Sequence, residues 1–382
     1  MHFTKKGYEK VFDELEKTLA AIIGDGIPGN DCVVYHNGEE VFRHTNGFSD
    51  AENRIPMNGR ERYNMYSCSK IVTCTAALML YEKKLLALDD YVYKYIPEFK
   101  NAVVLKDGKT EPVKNHITIR HLFTMSAGLD YDLSSEYIAL AQKETDGKCP
   151  TAKMPAYIIR KPLLFEPGTH FEYSLCHDII AAIVEIITAN KYGDFIKSNI
   201  FSPLGMSRST FLASEGEYDD VFPQYRCNDE TGLLDNVGNE IQGYKLGSEY
   251  ESGGAGCIST ADDFIKFLEA LRCGKLLSGD TLDLMCTPQL SRDADDDFHR
   301  EFYNKYGYGL GVRCPQNDKD VTDFGWGGAA GQYCVIDRQH NYTLFYGQHV
   351  LNTPEIFRKH RESLSRVSKK CIEKYEAVTN DK

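Results

Sequence analysis

Ser67-Cys-Ser-Lys70-Ile-Val-Thr-Cys-Thr-Ala-Ala-Leu-Met-Leu80 is the stretch from which the architecture is read. Residues 71–80 carry no charge. A helix that is apolar on every side belongs inside a protein, so the segment predicts a buried helix with the rest of the chain built around it. It is too short to span a bilayer, which needs about 18–20 apolar residues. No other apolar run in the sequence reaches that length.

Upstream, Val11, Phe12, Leu15, Leu19 and Ile22 recur at helical spacing and predict an amphipathic helix over residues 9–23. Residues 32–35 and 40–44 flank His36-Asn37-Gly38, a β-hairpin signal. Downstream, residues 118–126 predict a helix capped by Thr118 and stopped at Gly128. Residues 177–189 predict a second apolar helix, whereas 139–160 and 214–250 are polar and turn-rich and read as loops or insertions. Past Gly253–Gly256, an amphipathic helix is expected over 261–273 and a strand over 308–313. Strands at 332–336 and 342–346 and a last helix over 354–375 complete the chain. Both chain ends are thus helix plus antiparallel strands. The expected fold class is α+β, of the α/β sandwich type: an antiparallel sheet formed by both termini, flanked by helices, with a mainly helical inserted region. We expect one unit over 1–382, with residues 1–66 and 252–382 giving the sheet and its helices and 67–251 the helical region.

Composition narrows the function. The 382 residues are 42% hydrophobic and 26% charged, a folded profile rather than a disordered one. A net charge of −12 argues against nucleic acid and against an anionic membrane surface. Charges every few residues from Lys5 to Lys17 leave no signal-peptide core, so a cytoplasmic location is expected. Twelve cysteines form no C-x-x-C pair and read as reduced, mostly buried thiols. The eleven histidines make no spaced metal set, His170 and His177 reading as surface or supporting imidazoles. Neither a metal nor a cofactor is expected. G-x-S-x-G, H-E-x-x-H and Walker A patterns are absent. Gly325-Trp-Gly-Gly-Ala-Ala330 fits a loosened dinucleotide pattern, but a strand rather than a helix is expected after it.

Three patterns carry chemistry. Ser67 and Lys70, at i and i+3, share a helical face. The helix dipole favours negative charge on the Ser oxygen, and a desolvated Lys can accept its proton. The plain alternative is Ser67 as an N-cap. Tyr173-Ser-Leu175 follows Phe165-Glu-Pro-Gly-Thr169 and precedes an apolar helix; a Tyr near an ammonium can act as a base or proton shuttle. Phe324-Gly-Trp326-Gly327-Gly328-Ala329-Ala-Gly331 precedes a strand. Its glycines would let a substrate lie against backbone, and an N–H from it could join that of Ser67 in an oxyanion hole. A strained hairpin or bulge is the alternative. Tyr131, Tyr225, Tyr244, Tyr303, Tyr306 and Tyr308 are candidates for a pocket wall or for ordinary packing.

The order of these patterns resembles the serine β-lactamase and penicillin-binding-protein-like hydrolases. It is most similar to the class C β-lactamase-related branch that includes the family VIII carboxylesterases. Ile27-Pro-Gly29, Leu88-Asp-Asp90, residues 117–129, Ser252-Gly-Gly-Ala-Gly256 and Ser259-Thr-Ala-Asp-Asp263 extend the resemblance over nearly the whole chain. It implies Ser67 as the acylated nucleophile, Lys70 as its activating partner and Tyr173 as the base. Trp326, Gly327 and Gly328 would stand for the third motif, with Ala329 supplying the second oxyanion N–H. Two departures bear on substrate. Leu175 stands where the family carries an Asn that helps hold the Lys and a substrate amide. Trp326 stands where β-lactamases carry a Lys that binds a carboxylate, and offers an apolar face and an indole N–H instead. Both point to less anionic, less amide-like substrates. The reading is therefore an acyl-serine hydrolase acting on small-molecule carboxylic esters. D-amino-acid peptidase or amidase, β-lactamase, and a catalytically silent binding homologue are the alternatives.

Overall fold

The computed structural model describes residues 2–380 apart from 6–7, 212–219, 229, 242 and 303–304. Strands Gly29–His36 and Glu39–Asp50 form the expected hairpin. Its turn puts Asn37 at φ 49° and Gly38 at φ 83°, the left-handed pair a two-residue hairpin loop requires. Tyr342–Gly347 then pairs antiparallel with Gly29–His36, Val34 lying opposite Leu344. Tyr333–Asp337 and Asp323–Phe324 extend the sheet on that side, and His2–Thr4 lies along Glu39–Asp50 on the other. The sheet is thus antiparallel and joined in its middle by strands from the two ends of the sequence.

Successive strand residues leave opposite faces, and here both faces are covered. Cys32, Val34, Tyr333, Val335, Tyr342 and Leu344 pack with residues of the helices Asp13–Gly24 and Pro354–Asn380, among them Leu15, Leu19, Leu364 and Ile372. Val33, Cys334, Ile336 and Phe345 join the other core, with Phe264 and Leu268 of the helix Ala261–Arg272 and Ile71 of the buried helix. Burial on both sides is why these strands read as apolar runs rather than as alternations.

The apolar stretch forms the helix Ser69–Glu82, which packs against Cys176–Thr188. Thr118 caps the helix Ile119–Phe123, accepting from the His121 N–H while the His121 ring returns to the Thr118 N–H. That helix stops earlier than expected, and Met125 beyond it takes φ 56°.

Other boundaries differ more. Residues 139–160 are not loop: they hold most of the helix Glu136–Glu144, capped by Ser135, and the helix Met154–Ile158. Only Ile138 and Ala141 of the first are buried, too few to show a periodicity. The strand expected over 308–313 is two short strands, Tyr306–Tyr308 and Arg313–Pro315, around a turn with Gly311 at φ 82°. The inserted region also carries a hairpin of Val103–Lys106 with Lys109–Pro112, and Tyr225–Cys227 pairs with both Leu234–Asn236 and Val350–Leu351. Residues 214–219, 229 and 242 of the second expected loop lie outside the described residues. Among the described residues no helix is long and apolar enough to cross a membrane.

Candidate active site

Ser67 sits in a single turn of 3-10 helix, Tyr66–Cys68, between the strand Arg62–Asn64 and the helix Ser69–Glu82. The strand is held by pairing with Ile258–Thr260. Tyr66 takes φ 45°, a left-handed conformation that costs a bulky residue about 1–3 kcal/mol. Its surroundings hold it there: the side chain is buried, its hydroxyl bonds Gln224, and its ring meets Tyr244 edge-on at 5.8 Å. The turn leaves Ser67 partly exposed between buried neighbours. The N-cap of the helix is Cys68, with no side-chain capping bond, so the Ser67 hydroxyl is not spent on capping.

Lys70 is fully buried. Its Nζ donates to the Ser67 Oγ at 3.1 Å, to the Gly254 carbonyl at 2.7 Å and to the Tyr131 hydroxyl at 3.3 Å. Burial penalises the ammonium and brings its pKa down to about 8, against the pull of the Asp178 carboxylate.

Tyr173 comes just before the helix Cys176–Thr188; its hydroxyl accepts from the Trp326 indole N–H and lies beside Ser67. The Lys70 ammonium lies over the face of its ring, 4.6 Å from the centroid, rather than at its oxygen. Burial raises the phenol well above its ordinary pKa, and the neighbouring Ser67 and Trp326 offset only part of this. At rest the group is a phenol.

Trp326 differs from expectation. It is 2% exposed, stacked on Tyr173 at 5.8 Å and enclosed by Phe302 and Tyr308. Its N–H is taken by Tyr173 at 3.0 Å, so it is not free for a substrate. The glycines beside it make room for the protein rather than for a ligand. A Cβ on Gly327 would meet the Arg361 guanidinium carbon at 2.6 Å, and one on Gly328 would meet Gln332 and, at 2.7 Å, the Met65 carbonyl. Arg361, from the C-terminal helix, donates to the Gly328 carbonyl at 2.7 Å. It is a cation at the motif that lacks its Lys, and no local pattern announced it. Ala329 is partly buried and packs with the cluster containing Tyr66 and Ala330.

Leu175 is a correction. Its side chain turns into the core, 2% exposed, while its N–H bonds the Asp130 carbonyl. The Tyr131 hydroxyl, not the third position of the second motif, reaches Lys70, and Tyr244 meets the Tyr131 ring edge-on at 5.6 Å. Tyr308 is buried behind Trp326, Tyr306 bonds Asp323 and Tyr225 bonds the Ala51 N–H. Tyr303 lies outside the described residues. His177 is buried and kept neutral, its pKa brought down to about 3 by desolvation, with Nε2 against the Phe123 carbonyl. His170 pairs with Asp297.

All twelve cysteines are free thiols, and the Cys68 and Cys334 sulfurs lie 3.7 Å apart. One grouping of possible metal ligands exists among the described residues, although sequence spacing showed none. His2, Glu16 and His44 gather because His2 pairs across the sheet edge with His44.

Residues 12–363 match the model of the Beta-lactamase family. The chain belongs to that family. It is a serine hydrolase of the β-lactamase fold. Esterase EstB of Burkholderia gladioli is 30% identical over 279 residues, 66% of this chain and 68% of EstB. EstCE1 and simvastatin synthase are among the solved structures that share the fold. EstCE1, described as a hydrolase with promiscuous acyltransferase activity, superposes with a TM-score of 0.76 at 23% identity, over 94% of this chain and all of that one. The LovD6 mutant of simvastatin synthase from Aspergillus terreus gives 0.78 at 21% identity, over 95% of each chain.

Proposed function

We propose that the chain hydrolyses small carboxylic esters through an acyl-enzyme on Ser67. The observation that carries this reading is the Ser67 Oγ accepting from the Lys70 amine at 3.1 Å, with the Tyr173 hydroxyl beside it. A Lys with a pKa near 8 is substantially neutral at mildly alkaline pH and can take the Ser proton. Oγ then attacks the ester carbonyl, and the N–H groups of Ser67 and Ala329 receive the oxyanion. Tyr173 gives its proton to the departing alkoxide, and the phenolate left behind is stabilised by the Lys70 ammonium over its ring. In deacylation a water gives its proton to that phenolate and attacks the acyl group. Ser67 leaves with the proton that Lys70 held, which restores the resting state.

Esters are favoured over amides and carboxylate-bearing substrates by three features. Leu175 is withdrawn into the core, Trp326 replaces a cation with a buried ring, and Arg361 is engaged by the Gly328 carbonyl. The 30% identity to an esterase supports the same choice. The test is hydrolysis of short-chain p-nitrophenyl esters by the parent and by Ser67→Ala, with mass analysis of the acylated peptide. We expect an acyl adduct on Ser67 and loss of turnover in the variant. An unchanged rate in Ser67→Ala removes Ser67 from the mechanism. Faster turnover of nitrocefin or of a D-Ala-D-Ala peptide would replace the ester reading.

A further inference from the structure

A buried carboxylate stands one layer behind Lys70, and the steps above leave it unused. Asp178 lies on the helix Cys176–Thr188 and is 3% exposed. Its Oδ1 accepts from the Ser252 hydroxyl at 2.6 Å and from the Tyr250 hydroxyl at 2.7 Å. Its Oδ2 faces Gly254 so closely that a Cβ there would come within 2.5 Å of it, and within 3.0 Å of the Tyr131 hydroxyl. The carbonyl of the same Gly254 is the shortest contact of Lys70. Segment 252–254 is therefore held at two points, the Ser252 hydroxyl on Asp178 Oδ1 and the Gly254 carbonyl on the Lys70 ammonium, with Asp178 Oδ2 facing Gly254. The Ser252 hydroxyl also accepts from the Ala255 N–H at 3.0 Å, which closes the turn.

An ammonium taken out of water needs compensation. The other groups facing Lys70 are the hydroxyls of Ser67, Tyr131 and Tyr244, the ring of Tyr173, and the thiols of Cys68 and Cys74. His177 is neutral. Burial keeps the phenols and the Cys74 thiol protonated. Among these neighbours Asp178 is the one carboxylate; burial raises its pKa, and its Ser252 and Tyr250 donors and the Lys70 ammonium work against that and favour the ionised form.

Building on the acyl-enzyme reading, we propose that Asp178 is a positioning residue for the reaction. Its carboxylate fixes the 252–254 turn that aims Lys70 at Ser67, and its charge sets the pH at which Lys70 accepts the Ser67 proton. Removing the charge weakens the hold of Lys70 on its proton. The acid limb of the reaction must then move to lower pH, while loss of alignment lowers the plateau.

The experiment is the pH dependence of Ser67 labelling by a fluorophosphonate, read by mass, in the parent and in Asp178→Asn. The amide oxygen can keep both hydroxyl bonds, so the variant removes chiefly the charge. We expect an acid limb displaced downward by about half a pH unit or more and a plateau lowered about tenfold. The double variant Tyr250→Phe/Ser252→Ala strips both donors and makes the carboxylate easier to protonate, so it must move the limb the same way. It takes over should Asp178→Asn fail to fold. An unmoved limb in whichever variant folds overturns the proposal and leaves Asp178 a packing residue. A parent unlabelled at Ser67 overturns the acyl-enzyme reading instead.

Discussion

The indole N–H of Trp326 donates to the phenol oxygen of Tyr173 at 3.0 Å, and the two rings lie 22° from parallel. The tryptophan thereby fixes where the phenol points. Trp326→Phe keeps a stacked ring and deletes the donor. We expect kcat/KM for a p-nitrophenyl ester to fall about tenfold, with a stability loss of about 1 kcal/mol. Steady-state kinetics beside a urea melt separate the two effects. Full activity would show that the indole only fills space.

Trp326 is also the one tryptophan of the chain. Its emission therefore reports on Tyr173 and, through it, on Ser67. Labelling Ser67 with a fluorophosphonate should shift or quench that emission, and Ser67→Ala should abolish the change. Emission that stays constant through complete labelling contradicts the coupling.

Lys70 ties both activity and stability to pH. Its pKa of about 8 in the fold lies below the ordinary 10.5. The proposed mechanism needs the neutral amine, so kcat/KM should rise with pH through about 8. Between these two values the unfolded chain holds the proton and the folded one does not. Stability contributed by this group therefore rises with pH across that window. Lys70→Met should abolish turnover, leave the melting temperature at pH 7 unchanged or higher, and remove this part of the pH dependence. Thermal melts at pH 7 and pH 10 provide the check.

Gly327 and Gly328 separate by what crowds them. At Gly327 the obstacle is the far end of a long side chain, Arg361, which can move aside. At Gly328 it is the Met65 carbonyl, part of the backbone leading to Ser67, together with the buried Gln332. Gly328→Ala should cost about 2–4 kcal/mol and most of the activity. Gly327→Ala should cost less than half of that. Equal effects in denaturant titrations would contradict the account of the turn.

The parts of the fold that rest on local chemistry were legible in advance. Asn37-Gly38 marked its hairpin, Thr118 its cap, and the uncharged helix its own burial. The Ser67–Lys70 pair was legible too, because three residues of helix bring the two side chains together. What was hidden depends on which distant segments meet. Tyr131 reaches Lys70 from another loop, Arg361 arrives from the last helix, and Asp178 acts through Gly254. Leu175 was misplaced because a single position in a loop does not reveal which way its side chain turns. Residues 136–144 were hidden because so little of that helix is buried.

The pairing of Gly29–His36 with Tyr342–Gly347 has a consequence for biosynthesis. Val34 and Leu344 face each other across nearly the whole length of the chain. A ribosome makes the Ser67 turn well before the strand beside Ala329 and the helix bearing Arg361. Until they emerge, the first hairpin shows an unpaired apolar edge, the kind of surface on which strands from other chains add. Folding is then paced by its most distant pairing, and catalytic competence waits for those later segments.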